Sequence, residues 1–385
     1  MKCQVLKEDI IEGVQEAANI IPVKTGTAYL RTVWLETRDN ALTIMATDSN
    51  IEFVGTYPAH IQEAGRIGVH GKKFSDLIRK LPPGEITFEA NSGDTNVMVY
   101  HGKRKYKLPI NNPSWFQEFK VFPEENGIIW SGELFQNIIE RIAFCISSEE
   151  DMGAMNCIKF SPLENDEIEV CGMNGHQFGL MQFAVSDIHA ALGETGMLIS
   201  KNDLNEIGKW IRPEDILVSL TNKRIFMRSA SGHETLSVPR RTYDFPDYRN
   251  FIQHYEGLFR TSIELDKYEF VDALERILLF NTESSRSVYL HFSPTELGLT
   301  CHGQEFGEGS EIIAARFEGD LDVIAIPTKV LLEIMSHFKS TKITIQFAGP
   351  LEPCKVTGPD DHDYFVITMP VEVTEDTYYT EEETS

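Results

Sequence analysis

The sequence predicts an α+β protein made of three tandem equivalent units, each with two helices on a frame of antiparallel strands. Three observations predict this: an amphipathic helix opens each unit, hairpin-like stretches recur at matching positions, and a helix–turn–strand segment appears three times at near-constant spacing. The opening helices carry apolar stripes at helical spacing, first as Ile10, Ile11 and Val14. The second is Leu134, Phe135, Ile138, Ile139 and Ile142, and the third Phe270, Val271, Leu274 and Ile277, with Ile139-Glu140-Arg141-Ile142 echoed by Leu274-Glu275-Arg276-Ile277.

The next elements alternate and then turn on Asp, Asn or Gly, which is hairpin patterning. They are Leu42 to Asp48, Ile168 to Asn174 and Leu297 to Gly303, and Asp48, Asn174 and His302 are spaced 126 and 128 residues apart. The closing segment runs from Phe74-Ser75-Asp76-Leu77 through Leu81 to Ile86 and Phe88. It returns at an offset of 130 as Leu204-Asn205-Glu206-Ile207 through Ile211 to Ile216 and Val218, and 127 further on as Leu331-Leu332-Glu333-Ile334 through Phe338 to Ile343 and Ile345. Helical spacing, a polar break and strict alternation read as helix, turn and strand. The repeats predict domains over 1–126, 127–254 and 255–385. Phe122-Pro123-Glu124-Glu125-Asn126-Gly127 and His254-Tyr255-Glu256-Gly257 are the expected linkers. The tail 372–385 holds six acidic residues and no basic ones, and is expected to be an extension outside the fold.

Composition bounds the function. The 385 residues include 35 Lys plus Arg and 59 Asp plus Glu, for a net charge of −24, so a basic nucleic-acid coat is excluded. With 42% hydrophobic and 10% aromatic residues the chain has the material for packed cores. No apolar run reaches membrane-spanning length, and the N-terminal Met1-Lys2-Cys3-Gln4-Val5-Leu6-Lys7-Glu8-Asp9 lacks a secretory pattern, so a cytoplasmic location is expected. The six cysteines, at 3, 145, 157, 171, 301 and 354, form no CxxC pair and read as reduced core residues. No metal-ligand spacing, HExxH helix or GxSxG elbow occurs. Gly71-Lys72 fails as a phosphate loop, because Arg66 stands where the first glycine belongs and Lys73 where a magnesium-holding hydroxyl belongs. No catalytic residue, metal site or cofactor is predicted.

Four motifs sit on this threefold repeat: Gly71-Lys72-Lys73-Phe74 through Leu81-Pro82, Asn174-Gly175-His176-Gln177-Phe178, Asp244-Phe245-Pro246-Asp247-Tyr248-Arg249, and Tyr364-Phe365-Val366-Ile367-Thr368-Met369-Pro370. Together they resemble the bacterial beta sliding clamps, the processivity subunits of DNA polymerase III. The resemblance covers nearly the whole chain. It implies a head-to-tail homodimer closing a ring around duplex DNA, which tethers the replicative polymerase and confers processivity in DNA replication. A polymerase or exonuclease activity would then belong to the holoenzyme and not to this chain. A ring held by topology needs only a weakly positive inner wall, which reconciles the acidic composition with DNA as partner.

The resemblance also implies three sets of site residues. Lys24, Lys72, Lys73, Arg79 and Lys201 fall at DNA-facing positions, with Lys80, Arg141, Lys209, Arg212 and Arg276 on or near the same helices and loops; each has a solvated helix face as its plain alternative. The loop from Ser148 to Ala154, Ser-Glu-Glu-Asp-Met-Gly-Ala, is acidic where well-studied relatives are polar, basic and aromatic, which argues against direct DNA contact there. A groove for short linear peptides of polymerases, the clamp loader and repair factors would be formed by Met155, Met173, Gly175, His176, Gln177, Phe178, Pro246, Asn250, Phe251, Leu351, Pro353, Ile367, Thr368, Met369, Pro370 and Val371. Gln177, Asn250 and Glu372 stand where relatives often carry basic residues, so partner peptides are expected to be less acidic or less steered by charge. Tyr106, Leu278 and Leu279 fall at dimer-interface positions, with core packing the alternative for the two leucines. The basic run Lys103-Arg104-Lys105-Tyr106-Lys107 suits either that interface or DNA. Two rival readings remain: a protein-binding scaffold of the same fold that does not encircle DNA, and an acidic enzyme with dispersed catalytic residues.

Overall fold

The computed structural model describes residues 1–22, 27–282, 286–303 and 306–372. Within these the predicted repeat is present as structure. The opening helices span Lys7–Ile20, Gly132–Ile142 and Lys267–Leu278, and the closing helices Gly71–Lys80, Lys201–Trp210 and Thr328–Ser336. Each closing helix is followed by a strand, Glu85–Glu89, Ile216–Leu220 and Lys342–Phe347. The hairpin stretches are the strands Ala41–Thr47, Glu167–Met173 and Glu296–Gly303. The ladders among the described residues are antiparallel, so the α+β reading holds. No helix there is long and apolar enough to cross a membrane.

The chain forms two compact units. The first comprises 1–139, 164–166 and 185–242, and the second 140–163, 167–184 and 243–385. Each draws on more than one repeat because strands of different repeats pair. In the first unit Glu234–Pro239 pairs with Glu52–Pro58, joining strands of the first two repeats in one eight-stranded sheet. In the second unit Gln177–Ala184 pairs with Tyr364–Thr368, with Phe178 opposite Ile367, which does the same for the second and third. Backbone hydrogen bonds thus continue across the joints of the repeat, and no sheet edge is left exposed there.

In the first unit, the helix Lys7–Ile20 buries Ile10, Val14 and Ala17 at helical spacing, with Gly13 on the same face. Gly13 is required by packing, since a Cβ there would lie 1.7 Å from the Tyr57 hydroxyl oxygen. That hydroxyl donates to Glu234 Oε1 at 2.7 Å, adding a side-chain tie between two of the sheet's strands. A second sheet of this unit runs in the order 60–63, 2–6, 85–89, 96–101, 104–109, and Arg104–Pro109 is its edge.

Two features depart from the expectation. The segment His254–Gly257, expected as a linker, is the end of a helix over Tyr248–Glu256, capped by the Asp247 side chain accepting from Asn250 N at 3.3 Å. A further helix over Ser186–Leu192 lies outside the two-per-repeat pattern. At the other expected linker a short 3-10 turn over Glu124–Asn126 leads into the strand Gly127–Trp130. The tail lies outside the described residues from position 373 onward. The six cysteines are all buried and unbridged.

Candidate functional site

The expected groove residues converge in the second unit. The strands Glu167–Met173 and Gln177–Ala184 are joined by a tight turn at Asn174, whose Oδ1 accepts from His176 N at 3.0 Å and Gln177 N at 2.8 Å. Gly175 sits in that turn at φ 89°, a conformation an L side chain rarely adopts. Strand pairing then sets Met173 opposite Phe178, and Phe178 opposite Ile367.

Onto this sheet packs the helix Tyr248–Glu256. Buried Cys171, Phe178, Leu180, Tyr248 and Ile367 form one cluster, and Met173, Phe245, Phe251, Ile252 and Phe365 cover it while remaining partly open. Removing side chains of this size from water contributes roughly 1.5–3 kcal/mol each when burial is complete, so the buried members hold the helix on the sheet while the partly buried ones leave apolar surface exposed. Burial holds the Cys171 thiol up at about 12, which leaves it a packing residue and not a nucleophile.

The helix is tied down by one buried acceptor. Glu169 accepts from the Tyr248 hydroxyl, from Arg249 Nη2 at 3.3 Å and from Gln182 Nε2 at 3.0 Å. Burial pushes the Tyr248 phenol well above its ordinary range, so it serves as a neutral donor. At the C-terminal side, Met369 N donates to His176 O at 3.1 Å and Val371 N to Ala325 O at 2.9 Å, which fixes the segment Met369–Val371 against the Asn174 turn and the strand Val323–Pro327.

The predicted groove residues do not all play one part. Phe178, Gln177, Ile367, Thr368, Pro353 and Pro370 are buried, Met155, Met173, Pro246, Phe251 and Met369 are half-buried, and Gly175, His176, Asn250, Leu351 and Val371 are exposed. Asn250 Nδ2 is held by Asp247 Oδ2 at 2.6 Å. Phe245, Tyr248, Ile252 and Phe365 belong to the cluster although they were not among the predicted site residues. The signal for Tyr248 and Ile252 was the spacing of Tyr248, Phe251, Ile252 and Tyr255, a helical stripe that runs into the expected linker.

The basic residues divide by their partners. Lys72, Lys73 and Lys80 are exposed on the helix Gly71–Lys80, and Arg79 meets Asp76 at 3.0 Å. Lys201 is half-buried at the first helical position after Ser200, whose Oγ accepts from Asp203 N. Lys209 meets Glu206 at 2.6 Å, Arg212 meets Glu16 at 3.3 Å and Arg276 meets Glu311 at 2.8 Å, each neutralising a positive charge locally. Lys24 lies outside the described residues. Arg141 is neither DNA-facing nor a solvated helix residue: it is buried against Asp361 and its guanidinium lies 4.8 Å from the Tyr364 ring centroid.

Two strand segments are unpaired along one side among the described residues. Arg104–Pro109 pairs only with Asn96–His101 and carries Arg104, Lys105 and Lys107, with Lys103 just before it. Gly307–Ala314 pairs with Glu296–Gly303, whereas only Ala315–Glu318 reaches Ser262–Leu265, and the open stretch carries Glu308 and Glu311. Tyr106 is half-buried on the first edge. Leu279, at the C-cap of the helix Lys267–Leu278, is 74% exposed, which removes core packing as its role, while Leu278 is half-buried. No group of His, Cys, Asp and Glu among the described residues has the arrangement of a metal site.

Comparison with known proteins gives one family throughout. Residues 1–119 match the N-terminal domain of the DNA polymerase III beta subunit and residues 258–372 its C-terminal domain. A protein named beta sliding clamp from Chlamydia muridarum is 24% identical over 379 residues, covering 98% of this chain and 100% of the relative. A protein of the same name from Bacillus subtilis is 21% identical over 386 residues, covering 96% and 99%. The solved structure of a sliding clamp, DNA polymerase III subunit beta, from Bartonella birtlesii has a TM-score of 0.88 at 19% identity, covering 97% of this chain and 100% of that one. The DNA polymerase sliding clamp from Caulobacter crescentus gives 0.87 at 19%, with the same coverage.

Proposed function

From the premise that the chain belongs to the bacterial DNA polymerase III beta-subunit family, we propose that it is a DNA sliding clamp: a head-to-tail homodimer of three-domain chains, 1–126, 127–254 and 255–385, that encircles duplex DNA and tethers the replicative polymerase. The observation that carries this reading is the match to that one family at both ends of the chain, together with relatives of the same name aligned over nearly all of it. The clamp confers processivity and does no nucleotidyl transfer itself, and it works in the cytoplasm.

Ring closure follows from the two open strand edges. The basic edge Arg104–Pro109 of one protomer pairs with the acidic edge Gly307–Ala314 of its partner, satisfying backbone donors and acceptors that a monomer leaves to water. Opposite charge fixes which edges meet, and a heterologous contact of this kind closes a ring when repeated. Tyr106, Leu278 and Leu279 add apolar contact. Lys24, Lys72, Lys73, Arg79 and Lys201 face the DNA, where few and weak phosphate contacts let the ring slide.

The apolar groove of the second unit takes short linear peptides from polymerases, the clamp loader and repair factors, with Met173, Phe251 and Met369 as its adaptable walls. The test is primer extension by the cognate polymerase with its loader. Added protein should lengthen the product made per binding event; unchanged length would contradict the reading.

A further inference from the structure

The backbone leaves each of the three repeats through the same hydrogen bond. Asn111 N donates to Gly68 O at 2.8 Å, Arg241 N to Leu198 O at 3.0 Å and Val371 N to Ala325 O at 2.9 Å. Each acceptor stands three positions before the first residue of its closing helix, and the donors follow one another at 130 residues. The segment after Val371 therefore holds the place in the repeat that the segments after Asn111 and Arg241 hold.

Both of those segments cross to the next repeat and cover aromatic surface on the way. After Asn111, the Phe116 ring lies 5.3 Å from that of Trp34, which is 3% exposed, and Lys120 N donates to Glu52 Oε2 at 2.8 Å. Phe122 then meets Phe226 and Arg228 of the second repeat, and Glu124 pairs with Arg228 at 2.6 Å. After Arg241, Tyr248 lies against Phe178, and the Tyr255 hydroxyl donates to Glu352 of the third repeat at 2.8 Å.

The third repeat has the matching surface. Trp34 stands opposite Gly68 in its sheet, and Tyr289 stands opposite Ala325 in the same way, on the face away from buried Val288 and Leu290. Tyr289 is half-buried where Trp34 is covered, and Ile312, in the row of His291 and Gly298 on that face, is 67% exposed. In a head-to-tail ring the next repeat is the first one of the partner protomer. There Met98 and Tyr100 occupy the places of Phe226 and Arg228, since Tyr100 opposes Thr87 as Arg228 opposes Leu217. Exposed Lys107 and Lys105 stand opposite them on the same face, with Lys105 Nζ 5.5 Å from the Tyr100 ring centroid.

The sequence after Val371 suits this path in length and charge. The first crossing takes eleven residues from Asn111 to Phe122, and fourteen follow Val371. At the 130-residue spacing Tyr378 and Tyr379 fall between the counterparts of Phe116 and Phe122, and Glu381-Glu382-Glu383 surround the counterpart of Phe122. Resting on the ring reading above, we propose that residues 373–385, which lie outside the described residues, form a third connector across the protomer boundary. Its tyrosines cover the Tyr289 face, and its carboxylates meet Lys105 and Lys107 of the partner protomer.

The test compares the full-length protein with a Val373–Ser385 deletion by analytical ultracentrifugation, alongside a Tyr100→Cys/Glu382→Cys variant. The deletion should weaken dimerisation about tenfold, the scale of a few exposed ion pairs and one aromatic contact. Because the six native cysteines are buried, mild oxidation of the double-cysteine variant should give a covalent dimer through the new thiols. Equal dimerisation with and without the tail, or no crosslink between chains, would overturn the connector while leaving the ring. A full-length chain that stays monomeric at every concentration would overturn the ring reading and the connector with it.

Discussion

The Tyr248 hydroxyl donates to the carboxylate of Glu169, and through that bond the helix Tyr248–Glu256 is fixed to the sheet that contains Glu167–Met173. Glu169 is 6% exposed and Tyr248 3% exposed, so neither group can turn to bulk water if the other is removed. Tyr248→Phe should therefore lower unfolding free energy by roughly 1.5–3 kcal/mol, the usual worth of a hydrogen bond to a charged group, while Arg249 and Gln182 still engage the carboxylate. It should also weaken peptide binding, because the wall loses its anchor. Denaturant melts and titration with a groove-binding peptide check both parts.

A second buried pair acts away from the groove. Arg141 and Asp361 face each other with side chains 7% and 0% exposed, and Asp361 also accepts from Ser340 N at 2.8 Å and Lys339 N at 3.0 Å. Arg141→Met should cost about 3–5 kcal/mol, since the aspartate then loses its cation inside the protein. Burial alone would raise the Asp361 pKa, but the hydrogen bonds from Ser340, Lys339 and Arg141 hold it below the ordinary value. A depressed carboxylate stabilises above its unfolded pKa of about 4, and that contribution is lost as pH falls through the folded value. Acid unfolding of the native chain should accordingly be steeper below about pH 4 than that of Arg141→Met.

His337 gives the opposite sign. It stacks on Phe144 at 4.1 Å between ring centroids with an 11° interplanar angle, and its Nδ1 is buried without a hydrogen-bond partner. Burial lowers its pKa, Arg141 lowers it further, and Glu140 opposes them. A histidine held neutral in the fold makes the unfolded state bind more protons below about pH 6.5, so stability falls as pH falls through that value. His337→Phe keeps the stack and removes the proton site. Its stability advantage over the native chain should widen between about pH 7 and 5 in denaturant melts; a constant difference would contradict the assignment.

Ring closure should depend on charge at the two open edges. Lys105→Glu/Lys107→Glu should shift the protein toward monomer in analytical ultracentrifugation, and Glu308→Lys in the same chain should restore part of the dimer. High salt should weaken the native dimer in the same direction.

Removing Val373–Ser385 should leave peptide affinity unchanged, because the groove's own anchors end at Val371. Extending the deletion back to Met369 removes the bonds to His176 and Ala325 and should abolish binding, as calorimetry would report.

Helices and hairpins were legible in the sequence because each is a local pattern that the threefold repeat states three times. The repeat also located Phe74, Leu204 and Leu331 as equivalent core residues, and all three are buried. Pairing across repeats was not legible: Gly55 meets Glu234 in the sheet, and nothing in either local segment names the other. The helix Tyr248–Glu256 was hidden because its last residues, His254-Tyr255-Glu256, read with Gly257 as a linker, although Gly257 is the cap at its end. Arg141 was misread for a different reason. Its spacing on the opening helix suits an exposed face, and only the fold brings Asp361, 220 positions away, to its guanidinium.

The central claim is topological, and retention on DNA tests it most directly. Purified protein is loaded onto nicked circular DNA by a competent clamp loader, and bound protein is measured before and after the circle is linearised at moderate salt. A ring that encircles DNA should stay on the circle and run off once ends exist. Retention that is equal on both forms would mean ordinary binding and contradict the account.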